Sequence, residues 1–445
     1  MTANLASIAQ DIVARAVRAG ASSADALAIE AASIDVGVRD GKVEDLEQSE
    51  SREIGLRVFA GKSSAAIATS VTSEDSLNRI IEQAVAMAKA APPDPLTGLA
   101  EPDAIAHDFP DLDLAASDLP GVEDLKAMAL EAEGAALAVK GVAKSGGGGA
   151  SASRRSVALA ASNGFVGSYR RTGVSLSISA IAGEGTAMER DYDYSSAIHG
   201  ANLRSPADIG RNAGKRAVRR VNPRKIKSQS VPVIYDWRVA SSLVGHLISA
   251  VLGSAVSRGT SFLKDKRGEK IFPSGITIID DPLRRRGLGS RPFDAEGLAA
   301  QKLHLIADGV LGEWLLDLYS ARKLGLQSNG RAARGLSGPP GPSSTNVHME
   351  PGTRTPEDMV KSLKRGFLAT ELIGHGPNIV TGDYSRGASG FWIEDGEIAY
   401  PVSEVTLAGK LPDMFAHLIP ADDIKFRSTV NVPSCLIEGM TLGGR

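Results

Sequence analysis

The sequence nearly lacks cysteine. Its single thiol, Cys435, excludes a disulfide within the chain and fits a reducing cytosol. Aromatic residues make up only 4% of 445 residues, so the interior must be packed from Ala, Val, Leu and Ile. Neither sign of charge dominates. With 50 basic and 52 acidic residues the net charge is −2, which gives no general attraction to nucleic acid or to an anionic membrane. The first twenty residues have no basic start, no unbroken apolar stretch and no small-residue cleavage site, so they do not read as a signal peptide. Metal-ligand spacing is missing as well. The seven histidines are His107, His199, His246, His304, His348, His375 and His417; no two share a helix face, and no His-Glu-x-x-His occurs.

Long hydrophobic runs are also scarce. The one that raises the membrane question is 239–257, which has no charge. It carries five serines, two glycines and His246, and its small residues Gly245, Ser249, Gly253 and Ser257 recur every four positions. That stripe predicts a helix approached closely by another element, buried in a folded core rather than in lipid.

What is abundant is glycine, at 48 residues, which points to tight turns and β-structure. The length predicts two or three domains. Patterning predicts an α+β fold, with N-terminal helix and antiparallel-meander layers followed by a mixed domain rich in antiparallel β-hairpins. The first domain is expected over 1–225, in two helix–meander halves at about 1–91 and 122–221, and the second over 226–445. Within the first, helices are predicted at 3–18, 73–91, 122–140 and 205–221, the second opened by an imperfect capping box at Ser73. Strands are predicted around 26–39, 42–47, 53–59, 64–70, 151–161, 169–182 and 187–199, with the glycine run 146–149 as a connection. Asn222-Pro223 marks the boundary.

The densest chemistry lies at 382–406. Its first part, to Ser389, reads as a polar, glycine-rich loop. Its second reads as a hairpin turning at Asp395-Gly396, because a type I′ turn needs positive φ at both central residues. Asp383, Tyr384, Ser385 and Arg386 offer an acceptor, two hydroxyls and a guanidinium that could grip a peptide backbone or carboxylate; a self-satisfied polar turn would look the same. His375, between Gly374 and Gly376, is either a site residue or an exposed imidazole on a turn. His246 reads as a packed core histidine and Cys435 as a small buried residue. The basic stretch 211–227 and Arg284-Arg285-Arg286 read as solvated faces, with no aromatic interleaving to suggest nucleic acid. Gly146–Gly149 is no phosphate loop, since neither Gly-Lys-Ser nor Gly-Lys-Thr comes after it.

The segment 382–411 closely resembles the signature of the bacterial TldD/PmbA family, in its PmbA (TldE) branch. The loop 335–346, the C-terminal Leu436-Ile437-Glu438-Gly439-Met440-Thr441 and the Gly61-Lys62-Ser63 meander resemble the same branch, so the likeness spans nearly the whole chain. It implies a cytosolic peptidase in which a TldD-like subunit pairs with a TldE-like one to degrade unfolded or flexible peptides in an enclosed chamber. The family is linked to peptide-antibiotic maturation, antitoxin turnover and modulation of DNA gyrase.

In the TldD branch a helix carries His-Glu-x-x-x-His, which with a cysteine holds catalytic zinc. The sequence Arg258-Gly259-Thr260-Ser261 resembles the residues on the C-terminal side of that motif. In this register the histidine positions hold Val244 and Ser249, the glutamate position holds Gly245, and His246 falls out of register. The resemblance therefore implies a subunit with no catalytic residues, metal or cofactor of its own, whose partner carries the zinc. Whether the chain forms a homodimer in the partner's absence is left open by the resemblance. Strand addition around 382–390 would explain a sequence-tolerant grip on substrate. The alternatives are an interaction protein acting on gyrase or antitoxin, and an autonomous hydrolase near His375 and Asp383.

Overall fold

The computed structural model describes residues 2–374 and 376–444. The first half of the chain uses one plan twice. Helix α1 (Thr2–Arg18) leads into antiparallel strands β1 (Ser23–Arg39), β2 (Lys42–Ala60) and β3 (Ser63–Thr69), and α2 (Glu74–Ala90) comes next. The plan repeats as α3 (Val122–Leu137), β4 (Val142–Ala161), β5 (Val166–Ala182), β6 (Glu189–Ala197) and α4 (Pro206–Arg220). The two meanders are one sheet rather than two layers. β1 and β4 pair antiparallel, giving the order β3-β2-β1-β4-β5-β6. Each is the first strand of its meander, so the pairing removes two open edges at once.

The helices cover one face. Leu5, Ile12, Ile81 and Val85 pack on Ala26, Leu56 and Val58, while Leu125, Ala132, Ile209 and Ala213 pack on Leu176 and Ile178. The glycine run 146–149 lies inside β4, at a bulge that shifts the register between Ser145 and Gly148. Ser73 stands at the N-cap of α2, but its hydroxyl bonds the Ser76 hydroxyl at 3.0 Å instead of capping the backbone.

The second half begins with β7 (Gln229–Tyr235), α5 (Trp237–Val251) and α6 (Gly253–Ser257), then β8 (Ile278–Asp280), β9 (Leu303–Ala307), β10 (Val310–Leu311) and α7 (Leu318–Leu324). It continues through β11 (Ala332–Ala333), β12 (Gly341–Pro342), β13 (Val347–Met349), α8 (Pro356–Lys361), β14 (Arg365–Ile373) and β15 (Asp383–Glu394). It ends with β16 (Glu397–Lys410), α9 (Leu411–Ala416), β17 (Leu418–Pro420), β18 (Val430–Asn431) and β19 (Cys435–Gly443). The main sheet runs β16-β15-β14-β7-β19-β17, and an additional β16–β19 pairing curls it toward a barrel. A smaller sheet runs β10-β9-β8-β13-β18. The turn at Asp395-Gly396 forms as expected, with φ of 49° and 81°.

Two readings of the sequence need correction here. The polar stretch from Asp383 is strand rather than loop: Tyr384 and Ala388 alternate with their neighbours and are buried. The uncharged segment 239–257 is broken at Leu252. The Gly253 N–H bonds the Leu315 carbonyl at 2.8 Å, and the Leu315 N–H bonds the Val251 carbonyl at 3.0 Å, so a neighbouring segment replaces the helix's own ladder. Among the described residues no helix is long and apolar enough to cross a membrane.

The halves are joined by charge and by rings. Asp25 on β1 is clamped between Arg57 on β2 and Arg334 from the second half, all three side chains buried. A Cβ on Gly55 would overlap the Leu336 backbone, so the loop after Arg334 lies directly on β2. Phe109, Phe165, Tyr169 and Phe293 gather the scarce aromatics at this junction, each centred 5.0–5.5 Å from at least one other. On the other side Arg220 of α4 bonds Glu371 of β14, and Arg238 of α5 bonds Asp191 of β6 at 2.7 Å.

Candidate functional site

Helix α5 is amphipathic in a specific way. Asp236 caps it, accepting from the Arg238 N–H at 3.0 Å. Ala240, Leu243, Val244, Leu247, Ala250 and Val251 form its core face. Ser242, Gly245, His246 and Ser249, at i, i+3, i+4 and i+7, share the opposite, half-buried face. Val244 is only 1% exposed, so the first position of the zinc register points into the core. Gly245 borders open space: nothing among the described residues lies within 4 Å of where a Cβ would stand. The Ser249 hydroxyl donates to the Gly245 carbonyl of its own helix at 3.0 Å.

These residues do not fit a zinc ion. One position is an apolar core side chain, one has no side chain, and the third is a hydroxyl turned to its own backbone, whereas zinc takes thiolate, imidazole or carboxylate. Among the described residues no group of three His, Cys, Asp or Glu could hold a metal. Cys435 is fully buried, and its thiol is pushed up by burial and by nearby Asp423. That leaves it a packed side chain with an S–H held 3.3 Å from the Pro433 carbonyl, as the sequence suggested.

β15 reaches this helix through Tyr384. Asp383, Tyr384, Ser385 and Arg386 do not converge, because strand alternation divides them. Tyr384 is buried, its ring centre 6.0 Å from that of His246 and its hydroxyl 3.4 Å from that of Tyr235. Arg386, two residues on, donates to the Ile373 carbonyl at 3.3 Å and bears electrostatically on His246. Asp383 and Ser385 are exposed. The Thr381 hydroxyl, at 2.6 Å, and Lys410, at 3.5 Å, hold the Asp383 carboxyl below its usual range. His375 lies outside the described residues.

Strand addition over 382–390 is largely closed off. Gly387 to Glu394 pairs on both sides, with β14 and with β16. Only Asp383 to Arg386 runs past the end of β14, and the Asn378 N–H already takes the Asp383 carbonyl at 2.9 Å.

His246 is the residue the sequence undervalued. Its Nε2 is buried and has no partner among the described residues. Burial, and secondarily Arg386, lower its pKa to about 4. It is therefore neutral at physiological pH and able to hydrogen-bond. Its i+4 relation to Ser242 and i−3 relation to Ser249 was a readable signal. Tyr235 was not readable, since only the sheet brings it beside Tyr384. The open face of α5 thus presents two hydroxyls bonded to their own helix, a neutral imidazole and a bare glycine, with no carboxylate among the described residues of the helix.

The basic stretch after Arg211 is less solvated than expected. Arg216 pairs with Asp193 at 3.2 Å, Arg219 lies 4.9 Å from the Phe391 ring centre and Arg224 4.4 Å from that of Tyr400. Of these, the Arg219 contact docks α4 on the second half, Arg224 docks the segment after the helix, and Arg216 pairs within the first half. Arg285 and Arg286 both pair with Asp113.

Residues 228–444 match the PmbA/TldA metallopeptidase C-terminal domain, 117–221 its central domain and 24–88 its domain 1. The chain is 37% identical over 432 residues to the metalloprotease PmbA homolog of Haemophilus influenzae, covering 96% of this chain and 94% of that one. It is 37% identical over 414 residues to metalloprotease PmbA of Escherichia coli O157:H7, covering 93% and 90%. A Bacteroides thetaiotaomicron protein described as a putative modulator of DNA gyrase superposes with a TM-score of 0.91 at 27% identity, over 99% of this chain and 98% of that one. TldE from Thermococcus kodakarensis shares the fold, with a TM-score of 0.88 at 22% identity over 98% and 100%. The chain belongs to the PmbA/TldD metallopeptidase family.

Proposed function

We propose that this chain is the TldE-type subunit of a cytosolic TldD/TldE-type metallopeptidase that degrades unfolded or flexible peptides, and that its zinc-bearing partner supplies the hydrolytic centre. The observation that carries this reading is the composition of α5 in the register set by Arg258-Gly259-Thr260-Ser261: Val244 in the core, Gly245 without a side chain, Ser249 bonded to its own helix. Zinc hydrolysis needs side chains that seat the ion and a carboxylate that takes the proton from its bound water. The partner's His-Glu-x-x-x-His helix provides both. This chain contributes chamber wall, and the bare stretch at Gly245 lets an extended peptide pass close to the helix.

The description of the Bacteroides thetaiotaomicron relative favours a second reading, an interaction protein that modulates DNA gyrase without proteolysis. One experiment separates the two. The chain is purified and assayed on an unfolded casein substrate alone and mixed with a relative that carries His-Glu-x-x-x-His. Cleavage exceeding that of either subunit alone, abolished by chelation, supports the peptidase subunit. A mixture no more active than the relative alone rejects it in favour of the interaction protein.

A further inference from the structure

A cavity of about 600 Å³ lies between the first sheet and the second half of the chain, and none of the open-face residues of α5 lines it. That volume is in the range of small-ligand sites. Its polar lining divides into groups already committed and groups left free. Asp317 caps α7, accepting from the Ser320 N–H at 3.0 Å. Arg322 spans the carbonyls of Leu96, Gly98 and Leu99 at 2.7–3.1 Å. Arg57 is held by Asp25, with Nε at 2.9 Å.

Asp94, also in the lining, accepts from the Leu96 N–H at 3.0 Å through Oδ1. Beside the lining hydroxyls, three ionisable groups remain to be placed. Arg258, just beyond α6, and Lys323, on α7, are exposed and have no ion pair or hydrogen bond among the described residues. The third is Glu296. Its Oε2 accepts from the Leu318 N–H at 2.8 Å, leaving Oε1 uncommitted. Burial, reinforced by Asp294 and to a lesser degree Asp317, pushes this carboxyl up to about 8, with Arg57 and the Leu318 N–H opposing. At neutral pH it is a hydrogen-bond donor rather than a second anion. Leu96, Pro339, Pro340 and Pro342 supply an apolar wall.

Two unpaired cations, a neutral acid and an apolar wall in one cavity suit an organic anion that carries its charge at one end. We propose that this cavity binds the C-terminal carboxylate of a short peptide, with Arg258 and Lys323 neutralising the charge, Glu296 hydrogen-bonding it, and the proline wall packing on the last side chain. The choice of a peptide rests on the peptidase reading above, while the carboxylate rests on the cavity's own groups. Charge-assisted hydrogen bonds of this kind are the strong ones, and an amide end cannot accept them equally well.

The test is calorimetric titration of the full chain with N-acetyl-trialanine as the free acid, as its C-terminal amide, and with inorganic phosphate. The acid is expected to bind about tenfold or more tightly than the amide. The double substitution Arg258→Ala, Lys323→Ala should weaken the acid by at least about tenfold, and Glu296→Gln, which keeps a donor, should retain it. Near-UV circular dichroism establishes that each variant is folded. Equal binding of acid and amide, no binding of the acid, indifference to the double substitution in the folded variant, or phosphate binding as tightly as the acid each overturns the proposal. If the mixture with a zinc-bearing relative cleaves casein while no acid binds, this site fails and the peptidase reading stands. If the acid binds as described while the mixture is no more active than the relative alone, the site stands and the peptidase reading fails.

Discussion

Burial and Arg386 hold the His246 imidazole near 4, against an ordinary 6.5. The unfolded chain therefore takes up a proton at this residue before the folded one does. This contribution to stability is complete above about pH 6.5 and is lost as pH falls toward 4. In His246→Phe that increment disappears. Urea midpoints measured at about pH 7 and about pH 4.5 should fall further apart in the wild type than in the variant. An equal separation would mean that the imidazole titrates normally and that the face of α5 is wetter than described. Sequence reasoning placed His246 on an apolar helix and read it as packed. It missed the tyrosine and arginine beside it, because both arrive from a strand 138 and 140 residues further on.

The local elements were legible where their cause is local. The Asp395-Gly396 hairpin comes from positive φ at two residues, and the first meander from its short turns at Asp40-Gly41 and at Gly61. The strand from Asp383 was hidden because its outward residues are polar and its inward ones are a tyrosine and an arginine, so the alternation does not show as apolar against polar. The break at Leu252 was hidden because its cause is Leu315, far along the chain. The small-residue stripe divides in the same way. Gly253 meets Leu316 and Ser320 of the α7 region, while Gly245 meets nothing among the described residues. Gly245→Ala is expected to stabilise by about 0.5–1 kcal/mol, from helix propensity, and Gly253→Ala to destabilise by about 1–3 kcal/mol, from overpacking. Thermal midpoints check both, and a stabilising Gly253→Ala would remove the close approach from the account.

At the scale of the whole molecule, the junction between halves depends on a buried carboxylate. Burial alone would raise Asp25, but Arg57 and Arg334 outweigh it and hold the carboxyl below its ordinary value. Asp25→Asn leaves two buried guanidinium groups without their charge partner, at a cost of about 3–5 kcal/mol. Because Arg334 leads into the loop resting on Gly55, limited proteolysis should cut within 335–342 sooner in the variant. Unchanged stability and cleavage would mean that the aromatic contacts alone hold the junction. The pairing of β1 with β4 and this salt bridge join residues far apart in the chain, with no local pattern to announce the contact.

The account depends most on α5 being unable to seat a metal. The direct measurement is zinc content by atomic absorption on the chain purified alone, after dialysis against buffer containing micromolar zinc and then against metal-free buffer. The account predicts far less than one zinc per chain and no casein cleavage by that sample. Stoichiometric zinc retained together with cleavage by the isolated chain would contradict it.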